Sequence, residues 1–195
     1  MKTTKIKIKN LFGIAETELD GSSVEITGTN GSGKSTFLRL LAGVYYPNEG
    51  LITLDGESIY DNAKIKTGIF FLPDTPFYFH QGTVRKMADF YKLIYQNFDV
   101  EIYRKVLTIF PIDPKAPIAS MSKGMQRQAA LILAFACRPR LLLLDEAFDG
   151  LDPFIRKSLK SLISESVAEY GMTVMIASHN LRELEDLCDH VGLIH

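Results

Sequence analysis

Cysteine is scarce: Cys137 and Cys188 are the two among 195 residues. A disulfide scaffold needs more, and both fall in apolar-periodic stretches, so they read as reduced core thiols of a cytosolic protein. Charge of one sign is missing too. The 22 Lys and Arg side chains face 23 Asp and Glu, a formal net charge of −1, and without a basic excess nothing global points to nucleic acid. No run approaches the roughly 18 apolar residues that a bilayer span demands. The longest clearly apolar stretch, 141–144, has the length of a strand, so work at a membrane would need another chain to do the spanning. The amino terminus carries Lys5, Lys7 and Lys9 at alternate positions and has no apolar block, which excludes a signal peptide. With 14 Gly, 8 Pro, 46% apolar and 23% charged residues, collagen, a mucin-like stalk and wholesale disorder are also excluded. What remains is a globular chain long enough to bury a core, as one domain or one domain with an inserted lobe.

Residues 5–9 alternate polar and apolar, the pattern of a half-buried antiparallel strand. Strands are predicted at 23–27, 51–54, 68–72, 141–144, 173–177 and 191–194, with a turn at Asp55-Gly56. Helices are predicted at 34–42, 122–137, 154–170 and 180–187; Gly43 with Pro47, and Gly171, stop the first and third. From 83 to 110 the pattern is helical and aromatic. Strands alternating with helices imply a largely parallel sheet covered on both faces, with the middle helices as an inserted lobe. The expected division is an α/β core of 1–78 and 139–195 and a helical subdomain of about 79–138.

Gly28-Thr29-Asn30-Gly31-Ser32-Gly33-Lys34-Ser35 has the G-x-x-x-x-G-K-[ST] spacing, and Thr36 follows. Glycines let the backbone curl so that several N–H groups converge on phosphate oxygens, and the helix that starts there adds its positive end. Lys34 would reach the β- and γ-phosphates, and the Ser35 hydroxyl would ligate Mg²⁺. The second element is Leu141-Leu142-Leu143-Leu144-Asp145-Glu146. Asp145 comes at the carboxyl end of a buried strand, where ligands bind in open α/β sheets, and would hold Mg²⁺. Glu146 is the candidate to orient or deprotonate an attacking water.

With these elements the chain resembles, from about residue 5 to 194, the nucleotide-binding subunit of ABC transporters, a P-loop NTPase. Met121-Ser122-Lys123-Gly124-Met125-Gln126-Arg127-Gln128 resembles the family's LSGGQ signature. Ser122 and Gly124 match, Lys123 and Met125 depart, and the Ser-Lys-Gly-Met form is similar to bacterial exporter-type members. Ser122 precedes Asp145 by 23 residues, the family's usual arrangement, and is a good N-cap. The resemblance implies that Ser122, Lys123, Gly124 and Met125 meet the ATP of a partner subunit. It implies that Asp152, in Phe148-Asp149-Gly150-Leu151-Asp152-Pro153, is the key acid of a dimer loop. It makes His179 the switch histidine and Asp74 the residue that approaches Mg²⁺ from the loop leading to the helical lobe. Ala147 stands where proline is common. Phe12 is the aromatic upstream of Gly28 that would stack on adenine, a core role being the alternative.

The implied protein is an ATPase using ATP and Mg²⁺, peripheral on the cytoplasmic face of the membrane. It would pair with a second copy or a homologous subunit and power export by a membrane-spanning partner. The aromatic loop 75–80 is either core or a groove for a helix of that partner. A soluble ABC-type ATPase acting on nucleic acid would need a coiled-coil insertion or paired domains, which this chain lacks; no nucleic-acid partner is expected. A small-molecule kinase would lack Ser122 and His179 in this order.

Overall fold

The computed structural model describes residues 5–11, 14–20, 23–27, 33–180, 186–188 and 190–193. The elements are β1 (Lys5–Leu11), β2 (Ile14–Asp20), β3 (Ser23–Thr27), α1 (Lys34–Leu41), β4 (Leu51–Leu54), β5 (Glu57–Ser58), α2 (Ala63–Lys66), β6 (Ile69–Leu72), α3 (Val84–Ile94), α4 (Val100–Ile109), a 3₁₀ turn (Ile118–Ser120), α5 (Lys123–Ala136), β7 (Leu141–Asp145), α6 (Pro153–Tyr170), β8 (Thr173–Ser178) and β9 (His190–Leu193). They build two sheets. A small antiparallel one has the order β2-β1-β4-β5, and a five-stranded parallel one has the order β6-β7-β8-β3-β9.

The run of four leucines in β7 explains the layers. Side chains alternate across a strand, and all four leucines are fully buried. Leu141 and Leu143 join Phe37, Leu38 and Leu41 of α1 on one face, together with Ile52 and Leu54 of the small sheet. Leu142 and Leu144 pack on the other face with α5 and α6. A strand buried on both faces reads as continuous apolar sequence, as parallel sheets require. Helix α5 is the hub of the second layer. Every residue from Ala129 to Ala136 is buried, and α3, α4 and β6 pack around it.

Apart from the helix expected at 180–187, the expected strands and helices are present with small changes of boundary. Asp55 and Gly56 both have positive φ (53° and 85°), a two-residue hairpin turn between β4 and β5. Four features go beyond the sequence reading. Strand β2 hydrogen-bonds along β1, and the short β5 and α2 follow β4. The helical stretch 83–110 is two helices, because Asp99 accepts from the Glu101 and Ile102 N–H groups and starts α4 anew. Of the helix expected at 180–187, residues 181–185 lie outside the described residues, and Asp186-Leu187 form a turn. Among the described residues no helix is long and apolar enough to cross a membrane.

Candidate functional site

The parallel register lines up four strand ends. Leu72 pairs with Leu144, Asp145 with Ala177, and Thr27 with Ser178. One edge of the sheet is therefore followed by Pro73-Asp74 after β6, Glu146 after β7 and His179 after β8, and β3 ends level with them at Thr27. This is the crevice where open α/β sheets bind ligands. Phe12 and Gly28, Thr29, Asn30, Gly31 and Ser32 lie outside the described residues. Gly33 is described. Its φ of 95° begins α1 without a side-chain cap, and that left-handed setting, rather than lack of room for a Cβ, is what calls for glycine there. Lys34 opens α1 and is 6% exposed; Ser35 is half-buried and Thr36 exposed.

Asp145 is the least satisfied group of the site. It is 2% exposed, and neither carboxylate oxygen has a hydrogen-bond partner among the described residues. Burial pushes its carboxyl above the usual range. The Ser35 hydroxyl and the charges of Arg39 and Lys34 pull it down, and Asp74 pushes it up. Ser35 thus faces the carboxyl closely enough to act on it, although geometry completes no hydrogen bond to either oxygen. A buried carboxylate without partners is costly. Two free hard oxygens beside a serine hydroxyl fit a divalent cation such as Mg²⁺.

Glu146 has φ 50°, and its N–H donates to the Ala177 carbonyl at 2.9 Å. Its Oε2 lies 2.9 Å from His179 Nδ1 and accepts from the His179 N–H at 3.4 Å. The two candidates from separate strands are therefore in contact. Asp149 joins them: one ligand atom from each of Glu146, Asp149 and His179 lies within 4.8 Å of the others. The Asp149 carboxylate had no signal in the sequence beyond its place in the dimer-loop motif.

At the start of α5, Ser122 Oγ accepts from the Met125 N–H at 3.2 Å, the N-cap its position predicts. Ser122, Lys123 and Met125 are exposed. Gly124 touches the loop after β7: a Cβ there would sit 2.6 Å from the Gly150 carbonyl oxygen. Asp152 is exposed and caps α6, accepting from the Ile155 N–H at 3.0 Å. Among the described residues no hydrogen bond joins Ser122 or Asp152 to Glu146 or His179.

Asp74 is held otherwise than as a free ligand. Its Oδ1 accepts from Arg127 Nη2 at 2.7 Å. Arg127 also donates to the carbonyls of Asp74 (2.9 Å), Asp149 (3.0 Å) and Glu146. No role for Arg127 is visible in the sequence, since its partners are mostly backbone oxygens that leave no mark in a pattern. In the aromatic loop, the Tyr78 hydroxyl donates to the Gln126 carbonyl at 2.5 Å, and burial pushes its phenol up. Phe77, by contrast, is 73% exposed and meets Phe79 edge-on; Phe79 in turn meets Phe90. The loop is therefore part core and part apolar surface.

A family model described as ABC transporter matches residues 16–149. The chain is 34% identical over 175 residues to the ABC transporter ATP-binding protein YtrB of Bacillus subtilis, covering 89% of this chain and 60% of that one. It is 34% identical over 176 residues to the bacitracin transport ATP-binding protein BcrA of Bacillus licheniformis, with 86% and 56% covered. It is also 31% identical to the sulfate/thiosulfate import ATP-binding protein CysA of Mycobacterium tuberculosis, with 90% and 51% covered. The chain thus spans about half to three-fifths of the length of these relatives. A solved ATP-binding subunit of an ABC transporter superposes with a TM-score of 0.87 at 25% identity, with 98% of this chain and 86% of that chain covered. A bacterial Atm1-family ABC exporter with ATP bound shares the fold, at a TM-score of 0.84 and 21% identity, over 100% of this chain and 37% of that one. The aligned strand ends, the lysine-led helix beneath them and the matching residues 16–149 make this chain a member of the ABC transporter family, carrying its ATP-binding fold.

Proposed function

We propose that the chain binds and hydrolyses ATP and thereby powers export by a membrane-spanning partner. The observation that carries this reading is Asp145: a buried carboxylate with both oxygens unsatisfied among the described residues, facing Ser35 and lying next to the Glu146–His179 pair. Ser35 and Asp145 would hold Mg²⁺, with Asp74 as a further oxygen ligand once released from Arg127; the ion would offset phosphate charge. Lys34 and the backbone N–H groups of 28–36 bind the phosphates, and Phe12 stacks on adenine. Glu146 orients the attacking water and takes its proton, and His179 holds the Glu146 carboxylate in place. Residues 79–138 act as the helical lobe on a core of 1–78 and 139–195.

A second copy, or a homologous subunit, completes the site. Ser122, Lys123 and Met125 are exposed at a helix start, and among the described residues Ser122 makes no hydrogen bond to this chain's own Glu146, which supports a role toward the ATP of a facing subunit, with Asp152 in the loop between them. Export rests on the Ser122-Lys123-Gly124-Met125 form. The exposed Phe77, Phe79 and Phe90 support docking of a helix from the membrane-spanning partner on the cytoplasmic face. Cysteines at Phe77 or His80 should cross-link to that partner; cross-links confined to the opposite face would remove the docking claim. The central experiment is Glu146→Gln. Nucleotide binding should persist, ATP turnover should fall by about 10²–10⁴-fold, and ATP with Mg²⁺ should produce a dimer visible by light scattering. Turnover equal to the unaltered chain would overturn the reading.

A further inference from the structure

Arg127 joins three parts of the site. It stands in the second turn of α5, and its side chain is 12% exposed. Nη1 donates to the carbonyl oxygens of Glu146 and Asp149, and Nη2 to the carbonyl and Oδ1 of Asp74. Three of the four acceptors are backbone oxygens, drawn from the loops after β6 and after β7. A planar guanidinium with donors in a fixed fork can hold two loops in one relation to each other, whereas an ammonium on a flexible stem cannot.

The oxygen that matters most is the Glu146 carbonyl. Glu146 is in the left-handed region, a costly setting for a residue with a Cβ, and one that persists only when the surroundings hold it. Three contacts hold it. Its N–H is tied to the Ala177 carbonyl on β8, and its carbonyl accepts from the Asp149 N–H at 3.1 Å and from Arg127, the one of the two donors that comes from outside the loop. The residue is thus fixed on both sides of its Cα in the setting from which its carboxylate meets His179. One turn earlier on α5, Gly124 rests against Gly150 of the same loop. The first two turns of α5 therefore seat the Glu146–Gly150 loop, and Asp74 is drawn into the same clamp.

We propose that Arg127 is a positioning residue for hydrolysis. It holds the peptide after Glu146 in its left-handed setting and links that setting to the Asp74 loop and to α5, so that a shift of the helical lobe alters the aim of Glu146. This rests on the ATPase reading above. Arg127 does not touch substrate; it acts through the Glu146 backbone.

The test compares Arg127→Lys and Arg127→Ala with the unaltered chain and with Glu146→Gln. For Arg127→Lys, kcat should fall about tenfold or more while KM and the affinity for an ATP analogue stay within about twofold. In the Glu146→Gln background the same change should cause no further loss in single-turnover rate, since both substitutions act on one group. An equal fractional loss in both backgrounds, or an unchanged kcat, overturns the proposal. A second measurement needs no nucleotide. Amide hydrogen exchange at 146–150 should rise in Arg127→Lys, while the amides of β7 and of α5 beyond Ala129 keep their protection. Unchanged exchange at 146–150 also overturns it. If Arg127→Ala does not fold, Arg127→Lys carries both measurements. Absence of ATP turnover in the unaltered chain would instead strike the ATPase reading, and the exchange measurement would still decide the role of Arg127.

Discussion

Asp74 lies just beyond β6 and Asp145 ends the neighbouring parallel strand β7 at the same edge of the sheet, and the protein treats them in opposite ways. Asp74 is mostly exposed and already paired, its Oδ1 on the Arg127 guanidinium. Asp145 is buried, and neither of its oxygens has a hydrogen-bond partner among the described residues. One carboxylate is used up by a contact inside the protein; the other is kept buried at a cost that binding of a cation would offset. Position at a strand end therefore does not settle what an acid does. What settles it is whether the fold supplies a cation of its own. Arg127 supplies one to Asp74 from α5, while Asp145 has Lys34 and Arg39 near enough to act by charge alone.

The largest effect should come from the unpaired acid. Asp145→Asn keeps the shape of the side chain and removes the charge. ATP hydrolysis should fall by about two to three orders of magnitude, the loss typical for a group that stabilises developing charge. The ligand-free chain should become more stable, by the order of 1 kcal/mol or roughly 2–4 °C in a chain of this size. Opposite signs for activity and stability are the signature of a site strained for function. Thermal unfolding without nucleotide reads the second half, and a lower melting temperature would mean that Asp145 has a partner within the fold.

Asp74→Ala should do much less. Arg127 keeps its three carbonyl acceptors, so the clamp on Glu146 survives with one contact fewer. ATP affinity should stay within about twofold, and basal hydrolysis should fall by about two- to fivefold. Stimulation by a membrane-spanning partner should fall further, because the Asp74 loop leads from β6 toward α3. A loss as deep as that of Asp145→Asn would erase the contrast between the two acids and make Asp74 as necessary to hydrolysis as Asp145.

This contrast also marks how far the sequence could be read. Asp145 and Glu146 stood out because four leucines announce a strand buried on both faces, and chemistry gathers at the carboxyl end of such a strand. Ser122 stood out as a cap before a helix. The place of His179 beside the end of the Asp145 strand was legible too, but its contact with Glu146 shows only in the register that brings the ends of β7 and β8 level. Arg127 was invisible for the reason that makes it effective: carbonyl oxygens belong to every residue type, so a side chain that binds three of them leaves no spacing to detect. The φ of Glu146 was equally hidden, since glutamate is no turn residue and the strain is held by partners distant in sequence. The break between α3 and α4 was missed because the apolar period runs on across Asp99, and only the cap geometry shows a new start.

Asp99 supplies the smallest effect and a control for the other two. It is a third aspartate with defined partners, far along the chain from the strand ends. It accepts from the Ile102 and Glu101 N–H groups and pairs with Arg138 at 3.2 Å. The Ile102 N–H bond first, then that of Glu101 and the nearby Arg138, hold its carboxyl below its usual range. A folded-state pKa below the unfolded value means that the stabilisation is present above the unfolded pKa of about 3.9 and is lost as pH falls through the folded value. Asp99→Ala should therefore cost about 1 kcal/mol at neutral pH, the usual worth of an N-cap, or roughly 2–4 °C. The difference from the unaltered chain should close only below about pH 4. Its partial exposure keeps the Arg138 pair from adding much to that figure. ATP turnover at a temperature where both chains are folded should be unchanged. Should Asp99→Ala lower turnover as much as Asp74→Ala does, the Asp74 effect would be general loosening of the helices α3 to α5, and the contrast between the two strand-end acids would reduce to Asp145 alone.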